Sequence, residues 1–393
     1  MSYELISHSP DLKRLHDEGY EVEVKAGHLL VSHVPYVNSS KEVKYGVLVS
    51  TLVLNEDITQ KPSDHVAMFA GDTPCDIQGQ PLTKIINSSE RRDLGNGIVI
   101  DHTFSSKPPE GYPDYYEKMT TYINMLVGPA QAIDPKATAT TFRVVEATEE
   151  ESVFKYIDTA SSRAGIGAIN QRLEQSKVAI VGLGGTGAYI LDLVAKTPVK
   201  EIHLFDGDRF LQHNAFRSPS APSIKELGRA SQKVAYFARL YSKMRRGIIP
   251  HDGFVDGSNV EDLRDMDFVF IAIDDGETKR TIVAALEEYG TPFVDVGMGV
   301  YESEGTLAGV VRVTTSTPDQ RNHVHEKQRI PFSGRDDDDD YSQNIQIADL
   351  NALNAALAVI KWKKLCGFYR DLEREHFSAY EVDGNHLLNE DQA

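Results

Sequence analysis

The chain has 393 residues, a formal net charge of −18 and two cysteines. This length predicts two or three domains with sizeable cores. The negative charge argues against a nucleic-acid backbone as the main partner, and two cysteines exclude a disulfide framework or a cysteine-rich zinc site. The sequence has no apolar run near the roughly 20 residues of a membrane span and no apolar core of a secretory signal, so we expect a cytoplasmic protein.

Residues 1–140 have the pattern of a small α+β domain. Alternation of apolar and polar residues predicts strands at Tyr20–Lys25, His28–His33, Val43–Val53 and His65–Ala70. A helix with one apolar face is predicted over Asp114–Val127, where it would pack on that sheet, and Pro129–Ala139 is predicted to be a linker. The role of this domain stays open, with protein interaction as one interpretation.

Residues 141–393 have the alternation of strands and helices that predicts an α/β domain with a doubly wound parallel sheet. The predicted helices are Glu149–Thr159, Ser161–Gln175, Thr186–Lys196, Ile224–Met244, Glu277–Tyr289 and Ile345–Leu365. The predicted strands are Lys177–Val181, Glu201–Phe205, His251–Val255, Phe268–Ile273, Pro292–Val296, Val300–Tyr301 and Thr306–Thr315.

The first two of these strands enclose a glycine-rich turn of Rossmann type. A buried apolar strand leads into GLGGTG, with glycines at Gly182, Gly184, Gly185 and Gly187, and a helix follows. Such glycines permit a tight turn and close approach of backbone to a ligand, while the helix presents free N–H groups to an anion. Asp206 closes the second strand, where a carboxylate can hold ribose hydroxyls. The motif predicts a nucleotide site, and NAD, FAD and ATP are all compatible with it.

The loop after the second strand indicates which nucleotide is bound. It contains Asp206, Asp208, Asn214 and Arg217 within the sequence FDGDRFLQHNAFRS. An arginine fork and an amide donor suit phosphate oxygens, whereas hydride transfer needs no such cluster. Asp208 as a turn cap and Arg217 in a surface ion pair are the alternatives for these residues.

Two further residues extend this cluster. Lys233, in a predicted helix, can offer an ammonium group to phosphates, although a solvated helix residue is an equal alternative. Asp274 follows a buried strand at the sheet edge where ligands collect in open α/β sheets, and its carboxylate suits Mg²⁺.

These residues, over roughly residues 152–364, resemble the adenylation domain of ThiF, MoeB and HesA, which ubiquitin-activating enzymes share. The matching motifs are GLGGTG at Gly182–Gly187, D-x-D at Asp206 and Asp208, N-x-x-R at Asn214 and Arg217, then Lys233 and Asp274. The resemblance implies a ThiF-type Rossmann domain whose glycine turn and first aspartate bind ATP. It also implies phosphate contacts from Asn, Arg and Lys, and Mg²⁺ on the strand-end Asp. Because such domains are sometimes fused to ubiquitin-conjugating-like modules, that fold is an alternative for residues 1–140.

The family also implies a homodimer, because a partner subunit donates an arginine from a helix ahead of the first strand. Aligned without gaps, that position is Asp158, which cannot serve, and Arg163 is the nearest substitute. A surface arginine is the alternative interpretation of Arg163.

Two family features are absent from the sequence. There are no paired CxxC motifs, so no zinc is expected, and the region ahead of the last long helix holds an acidic run, Asp336–Asp340, instead of a catalytic cysteine. The run is predicted to be a solvated loop, with docking of a basic partner tail as the alternative. Cys366 is predicted to pack and Cys75 to be structural, with a chemical role as the alternative.

The sequence therefore predicts an ATP-dependent adenylyltransferase, acting on the C-terminal carboxylate of a small ubiquitin-like or sulfur-carrier protein. The predicted catalytic residues are Arg163, Arg217, Lys233 and Asp274, and ATP and Mg²⁺ are the expected ligands. An NAD(P)-dependent Rossmann oxidoreductase and a nucleotide-binding scaffold are the alternative functions.

Overall fold

The computed structural model describes residues 5–6, 8–55, 58–143, 152–156, 158–164, 166–332 and 345–392, without the side chains of 159, 162 and 163. The chain divides into two compact units, Met1–Val145 and Glu146–Ala393, which are called unit 1 and unit 2 below. The boundary expected from the sequence lies five residues earlier, between 140 and 141.

Unit 1 is an α+β unit. Its helices are α1 (Pro10–Asp17) and α2 (Tyr115–Ile133). Its strands are β1 (Glu21–Lys25), β2 (His28–Val37), β3 (Val43–Thr51), β4 (Leu54–Asn55), β5 (Ile58–Thr59), β6 (Val66–Ala70), β7 (Ile86–Ser88), β8 (Arg92–Asp93), β9 (Val99–Ile100) and β10 (His102–Ser105).

The main sheet of unit 1 is antiparallel and carries α2 on its apolar face. Among the described residues its six strands have the order β1-β2-β3-β6-β10-β7. The expected apolar face of α2 is buried, at Tyr115, Met119, Tyr122 and Leu126. The linker predicted to begin at Pro129 is wrong, because α2 includes this proline and continues to Ile133. The next residue, Asp134, caps the helix, and its N–H donates to the Ala130 carbonyl.

Unit 2 is an α/β unit. Its helices are α3 (Thr159–Ala164), α4 (Gly167–Asn170), α5 (Gly185–Val194), α6 (Gln212–Ala215), α7 (Ile224–Leu227), α8 (Lys233–Tyr241), α9 (Gly276–Tyr289), α10 (Asn322–Glu326) and α11 (Ala348–Leu365). Its strands are β11 (Lys177–Val181), β12 (Glu201–Asp206), β13 (Ile248–Asp252), β14 (Phe268–Ile271), β15 (Phe293–Ser303), β16 (Thr306–Ser316), β17 (Phe377–Glu381) and β18 (His386–Glu390).

The sheet of unit 2 has a parallel part and an antiparallel part. In the portion of the chain that the structure describes, its eight strands have the order β13-β12-β11-β14-β15-β16-β17-β18. The pairs from β13 to β15 are parallel, and those from β15 to β18 are antiparallel. The chain order reverses between β11 and β14, which is the switch point where open α/β sheets bind ligands. The Rossmann-like fold class expected from the sequence is confirmed.

Several predicted elements of unit 2 differ from the structure, and the strands predicted at Pro292–Val296 and Val300–Tyr301 form the single strand β15. The predicted helix Ile224–Met244 is two helices, because Phe210 N–H bonds the Ser231 carbonyl and Lys233 N–H bonds the Asp208 carbonyl at 2.8 Å each, which turns the chain away from α7. The strand predicted at His251–Val255 lies at Ile248–Asp252 instead. Of the helix predicted over Ser161–Gln175, only short helical segments form. The helix predicted over Glu149–Thr159 is wrong for the described residues 152–156, which are not helical because Phe154 forms a bridge with Arg245.

Candidate functional site

The glycine turn joins β11 to α5 at the carboxyl end of the parallel strands. Gly182 has a φ of +92°, a conformation that residues with a Cβ rarely adopt. Its N–H donates to the Phe205 carbonyl at 2.8 Å, which ties the turn to β12. A Cβ on Gly187 would collide with the carbonyl oxygen of Gly182, so helix and turn pack directly against each other. Gly184 precedes the helix and has open space where its Cβ would be.

Asp206, the last residue of β12, holds this turn in place through hydrogen bonds of its carboxylate. Its side chain is buried; Oδ2 accepts the Leu183 N–H at 2.7 Å and Oδ1 accepts the Asp208 N–H at 2.8 Å. Hydrogen bonds to a charged group are the strong ones, at about 1.5–3 kcal/mol each. The carboxylate therefore fixes both the glycine turn and the start of the following loop.

Lys233 stands at the first position of α8 and points back to this carboxylate. Its ammonium lies 3.4 Å from Asp206 Oδ2 and 2.7 Å from Asp208 Oδ2. The lysine side chain is buried, while that of Asp208 is 57% exposed. One cation is thus shared by a buried and an open carboxylate next to the glycine turn.

Asn214 and Arg217 occupy the loop after β12. Asn214 is buried and its Oδ1 accepts the Leu211 N–H at 2.8 Å, so this side chain shapes the short helix α6. The Arg217 N–H donates to the Asn214 carbonyl at 3.2 Å. The Nε of Arg217 is buried without a hydrogen-bond partner, which leaves a cationic donor available to a ligand.

Asp274 and Asp275 follow β14, and only Asp275 caps the helix that comes next. Asp275 is the N-cap of α9 and accepts the Thr278 N–H at 2.9 Å, and its bonds to Thr278 hold the pKa of its carboxyl below the usual range. Asp274 is exposed at the carboxyl end of the sheet. Because the capping role falls to Asp275, Asp274 is the carboxylate presented at the edge of the site.

The predicted arginine and cysteine residues give different outcomes. Arg163 lies in α3, but its side chain is outside the described residues, as is the whole acidic run Asp336–Asp340. Cys366 packs against the core, and burial raises the pKa of its thiol to about 11. Cys75 is buried, donates to the Thr73 carbonyl at 3.3 Å, and has a thiol pKa raised mainly by burial. Neither thiol has the lowered pKa of a reactive nucleophile.

Two residues that were not predicted as part of the site, Thr186 and Asn351, join the glycine turn to α11. The Thr186 hydroxyl donates to Asn351 Oδ1 at 2.8 Å, and the Asn351 amide lies against Gly185. An asparagine inside the apolar, alanine-rich helix α11 is the signal that could have revealed this contact, since a buried amide needs hydrogen-bond partners.

The arrangement fits a nucleotide with a phosphate chain. A helix N-terminus with open space at Gly184, the partnerless Nε of Arg217 and the ammonium of Lys233 offer donors to phosphate oxygens. Within the described ranges no group of three or more His, Cys, Asp or Glu side chains could hold a metal ion. A Mg²⁺ ion that is bound mainly by substrate phosphates needs only one or two carboxylates, and Asp274 can supply one.

No helix in the described part of the chain has both the length and the apolar character needed to cross a membrane.

Comparison with known proteins gives relatives that match part of the chain. The chain is 25% identical over 171 residues to ubiquitin-like modifier-activating enzyme 5 of Culex quinquefasciatus, covering 39% of this chain and 40% of that protein. It is 24% identical over 156 residues to the tRNA threonylcarbamoyladenosine dehydratase of Haemophilus influenzae, covering 38% and 57%. The chain thus spans 40% and 57% of the length of these curated relatives.

Solved structures of similar fold include PaaA, at a TM-score of 0.44 and 18% identity over 57% of this chain and 75% of that one. Another is E. coli MccB with ATP, at a TM-score of 0.40 and 16% identity over 57% and 66%.

Two protein families together match most of the chain. Residues 10–159 match a domain of unknown function, DUF6791, and residues 159–360, just over half of the chain, match the ThiF family. The chain belongs to the ThiF family.

Proposed function

We propose that this protein is an ATP-dependent adenylyltransferase that activates a carboxylate as an acyl-adenylate. The observation that carries the proposal is the Lys233 ammonium held between Asp206 and Asp208 beside the glycine turn. The site of a dinucleotide dehydrogenase needs no cation there, whereas a site that binds a triphosphate needs one to neutralise the phosphate charge. Membership of the ThiF family supports the same conclusion.

Each residue of the site has a part in binding ATP under this proposal. Asp206 holds the ribose hydroxyls through the acceptor capacity left on its carboxylate, since each oxygen has about two lone-pair sites. The glycine turn and the N-terminus of α5 receive phosphate oxygens. Arg217 and Lys233 neutralise the phosphate charge, and Asn214 orders the loop that carries Arg217.

The reaction then needs little covalent chemistry from the protein. An oxygen of the substrate carboxylate attacks the α-phosphorus, a new C–O–P linkage forms, and the bond from the α-phosphorus to the bridging oxygen breaks. Pyrophosphate leaves with the bonding electrons. No general base is required, because the carboxylate is already ionised at neutral pH. Positioning and charge neutralisation by Lys233 and Arg217 supply the catalysis.

Asp274 is proposed to hold the Mg²⁺ that accompanies ATP. Bound there, the ion would neutralise charge on the phosphates. The place of Asp274 at the carboxyl end of β14, beside the switch point of the sheet, supports this assignment.

We propose that the substrate carboxylate is the C-terminus of a small ubiquitin-like or sulfur-carrier protein. One relative is named as an activator of ubiquitin-like modifiers and another as a tRNA dehydratase. The net charge of −18 favours the protein substrate, because a nucleic-acid backbone would be repelled. The raised thiol pKa values of Cys75 and Cys366 give no support to a later thioester on this chain.

A homodimer is part of the proposal, with Arg163 donated by the partner to the phosphates. Phe216, next to Arg217, is 78% exposed, and Ile224 in the same region is 91% exposed. We propose that these two side chains lie in the dimer surface, because contiguous exposed apolar patches mark sites of protein interaction. The proposed role of residues 1–140 is to recruit the carrier or acceptor protein.

Exchange of labelled pyrophosphate into ATP, with candidate small proteins ending in Gly-Gly, tests the function. The wild-type chain is expected to catalyse exchange with one of them, and Asp274→Ala is expected to lower the rate about 100-fold because charge on the phosphates is no longer neutralised.

Asp256→Ala is the matched control. This aspartate follows β13, which is separated from β14 by two strands of the sheet, and in the described chain its carboxylate bonds only Ser258, so its loss is expected to leave exchange intact. Unchanged exchange in Asp274→Ala, or thermal stabilisation by NAD instead of MgATP, would overturn the proposal.

A further inference from the structure

Asn351 lies one turn into α11, beside the N-terminus of α5. Helix α11 packs against α5, and Asn351 is only 1% exposed. Gly185, the first residue of α5, has no side chain, and a Cβ there would collide with the amide of Asn351. The amide group therefore sits directly on the helix end where the proposed phosphates bind.

The oxygen of the Asn351 amide has a hydrogen-bond partner, whereas its nitrogen has none. The Thr186 hydroxyl donates to Oδ1 at 2.8 Å, which fixes the orientation of the group. Nδ2 is buried and has no hydrogen-bond partner. A buried donor without a partner destabilises the folded chain, and a leucine of similar size would avoid that destabilisation.

Asn354, one turn further along α11, has the opposite pattern, because its Oδ1 is the buried atom without a hydrogen-bond partner. It is fully buried, and its Nδ2 donates to the Gly297 carbonyl at 2.9 Å. Its donor thus joins α11 to β15. The two asparagines differ in that the donor of Asn354 is used by the protein, while the donor of Asn351 faces the glycine turn without a partner.

We propose that Nδ2 of Asn351 donates a hydrogen bond to a phosphate oxygen of ATP at the N-terminus of α5. The inference rests on the proposed function, since it needs a phosphate at this helix end. A ten-residue helix leaves its first N–H groups without intrahelical partners, and Asn351 adds a neutral donor to them from a separate helix. Thr186 is the positioning residue that holds the amide for this contact.

Titration calorimetry of the full chain with MgATP and with adenosine tests the inference. Asn351→Leu keeps the volume of the side chain and removes the donor. We expect its Kd for MgATP to rise about 10-fold, equal to about 1.4 kcal/mol, while the Kd for adenosine stays unchanged. A mere loosening of the turn would weaken both ligands alike, so the difference separates a phosphate contact from packing.

Asn354→Leu is the matched control, because it removes a buried amide from the same helix without touching the turn. We expect it to lower the melting temperature and leave both Kd values unchanged. Asn351→Asp is the second variant, in case Asn351→Leu does not fold. It keeps the acceptor for Thr186, and we expect the same selective loss of MgATP affinity.

The outcomes for the inference and for the proposed function are distinct. If the wild-type chain does not bind MgATP, the proposed function is overturned. Wild-type binding together with an unchanged MgATP affinity in Asn351→Leu, or an equal loss for adenosine, would overturn only the role of Asn351.

Discussion

The two units treat their buried polar groups differently. Among the described residues, buried side-chain nitrogen and oxygen atoms without a hydrogen-bond partner occur in unit 2 and not in unit 1. In unit 2 they include Arg217 Nε, in the loop after β12, and Asn351 Nδ2, beside the glycine turn. Buried polar atoms without partners are rare in native proteins and call for an explanation such as a ligand. The contrast agrees with the nucleotide site proposed for unit 2, which would give partners to these two atoms.

Asp11 shows the pattern of unit 1 most clearly. Its Oδ1 accepts the Thr59 hydroxyl at 2.5 Å and the Leu12 N–H at 2.9 Å, and its Oδ2 accepts the Tyr115 N–H at 3.0 Å. One buried carboxylate thus joins α1, β5 and the start of α2. These hydrogen bonds all go to groups within unit 1, so the Asp11 carboxylate serves the fold.

The largest expected effect concerns Arg217 in unit 2. Arg217→Met removes a cation whose Nε has no protein partner, so pyrophosphate exchange is expected to fall about 100-fold. The free energy of unfolding is expected to change by less than about 0.5 kcal/mol, because no hydrogen bond of Nε is lost. Exchange kinetics and urea unfolding on the same preparation measure both quantities.

Arg229→Met is the control for this variant, since Arg229 is exposed in the segment between α7 and α8. It is expected to leave both exchange and stability near wild type. A loss of stability in Arg217→Met as large as its loss of activity would break the contrast between the units.

The second prediction concerns Asp11 in unit 1. Asp11→Ala leaves the Tyr115 N–H and the Thr59 hydroxyl without their acceptor, and it is expected to destabilise unit 1 by about 2 kcal/mol. The Kd for MgATP is expected to stay unchanged. Denaturant unfolding and calorimetry check the two parts, and Glu23→Ala, which removes an exposed carboxylate from β1, is the control. A weakened MgATP affinity in Asp11→Ala would show that this carboxylate also serves the site.

Much of the fold could be predicted from sequence because local patterns determine it. The strand Lys177–Val181 has the predicted bounds, since an apolar β-branched run followed by a glycine admits few alternatives. The break between α7 and α8 could not be predicted, because it depends on hydrogen bonds from Phe210 and Lys233 that form only in the folded chain. The C-terminal strands β17 and β18 were missed for a similar reason: they are defined by pairing with β16.

The candidate site was predictable where its residues follow one another in a motif. The motif residues Asp206, Asp208 and Lys233 meet in the structure as one ion cluster. Asn351 was not predictable from such a motif, because it comes from a helix 165 residues beyond its partner Thr186. Only the three-dimensional packing of α11 on α5 brings the two together.

The smallest expected effect is a pH dependence that arises in unit 2. His323 and His376 are buried with their rings 5.9 Å apart, and burial is the main cause that lowers the pKa of each imidazole. Asp391 and the backbone raise the pKa of His323, while Arg329 lowers it further. For His376, Lys361 adds to the lowering and Glu375 opposes it.

The sign of the effect follows from proton linkage. A histidine in the unfolded chain has a pKa of about 6.5, so between that value and the lowered folded pKa the unfolded chain binds more protons. Stability therefore falls as the pH drops below about 6.5. The melting temperature is expected to decrease from pH 7.5 to pH 5.5, and His323→Leu is expected to make that decrease smaller. His213→Leu, which alters an exposed histidine, should keep the wild-type decrease. An unaltered decrease in His323→Leu would place the acid sensitivity elsewhere in the protein.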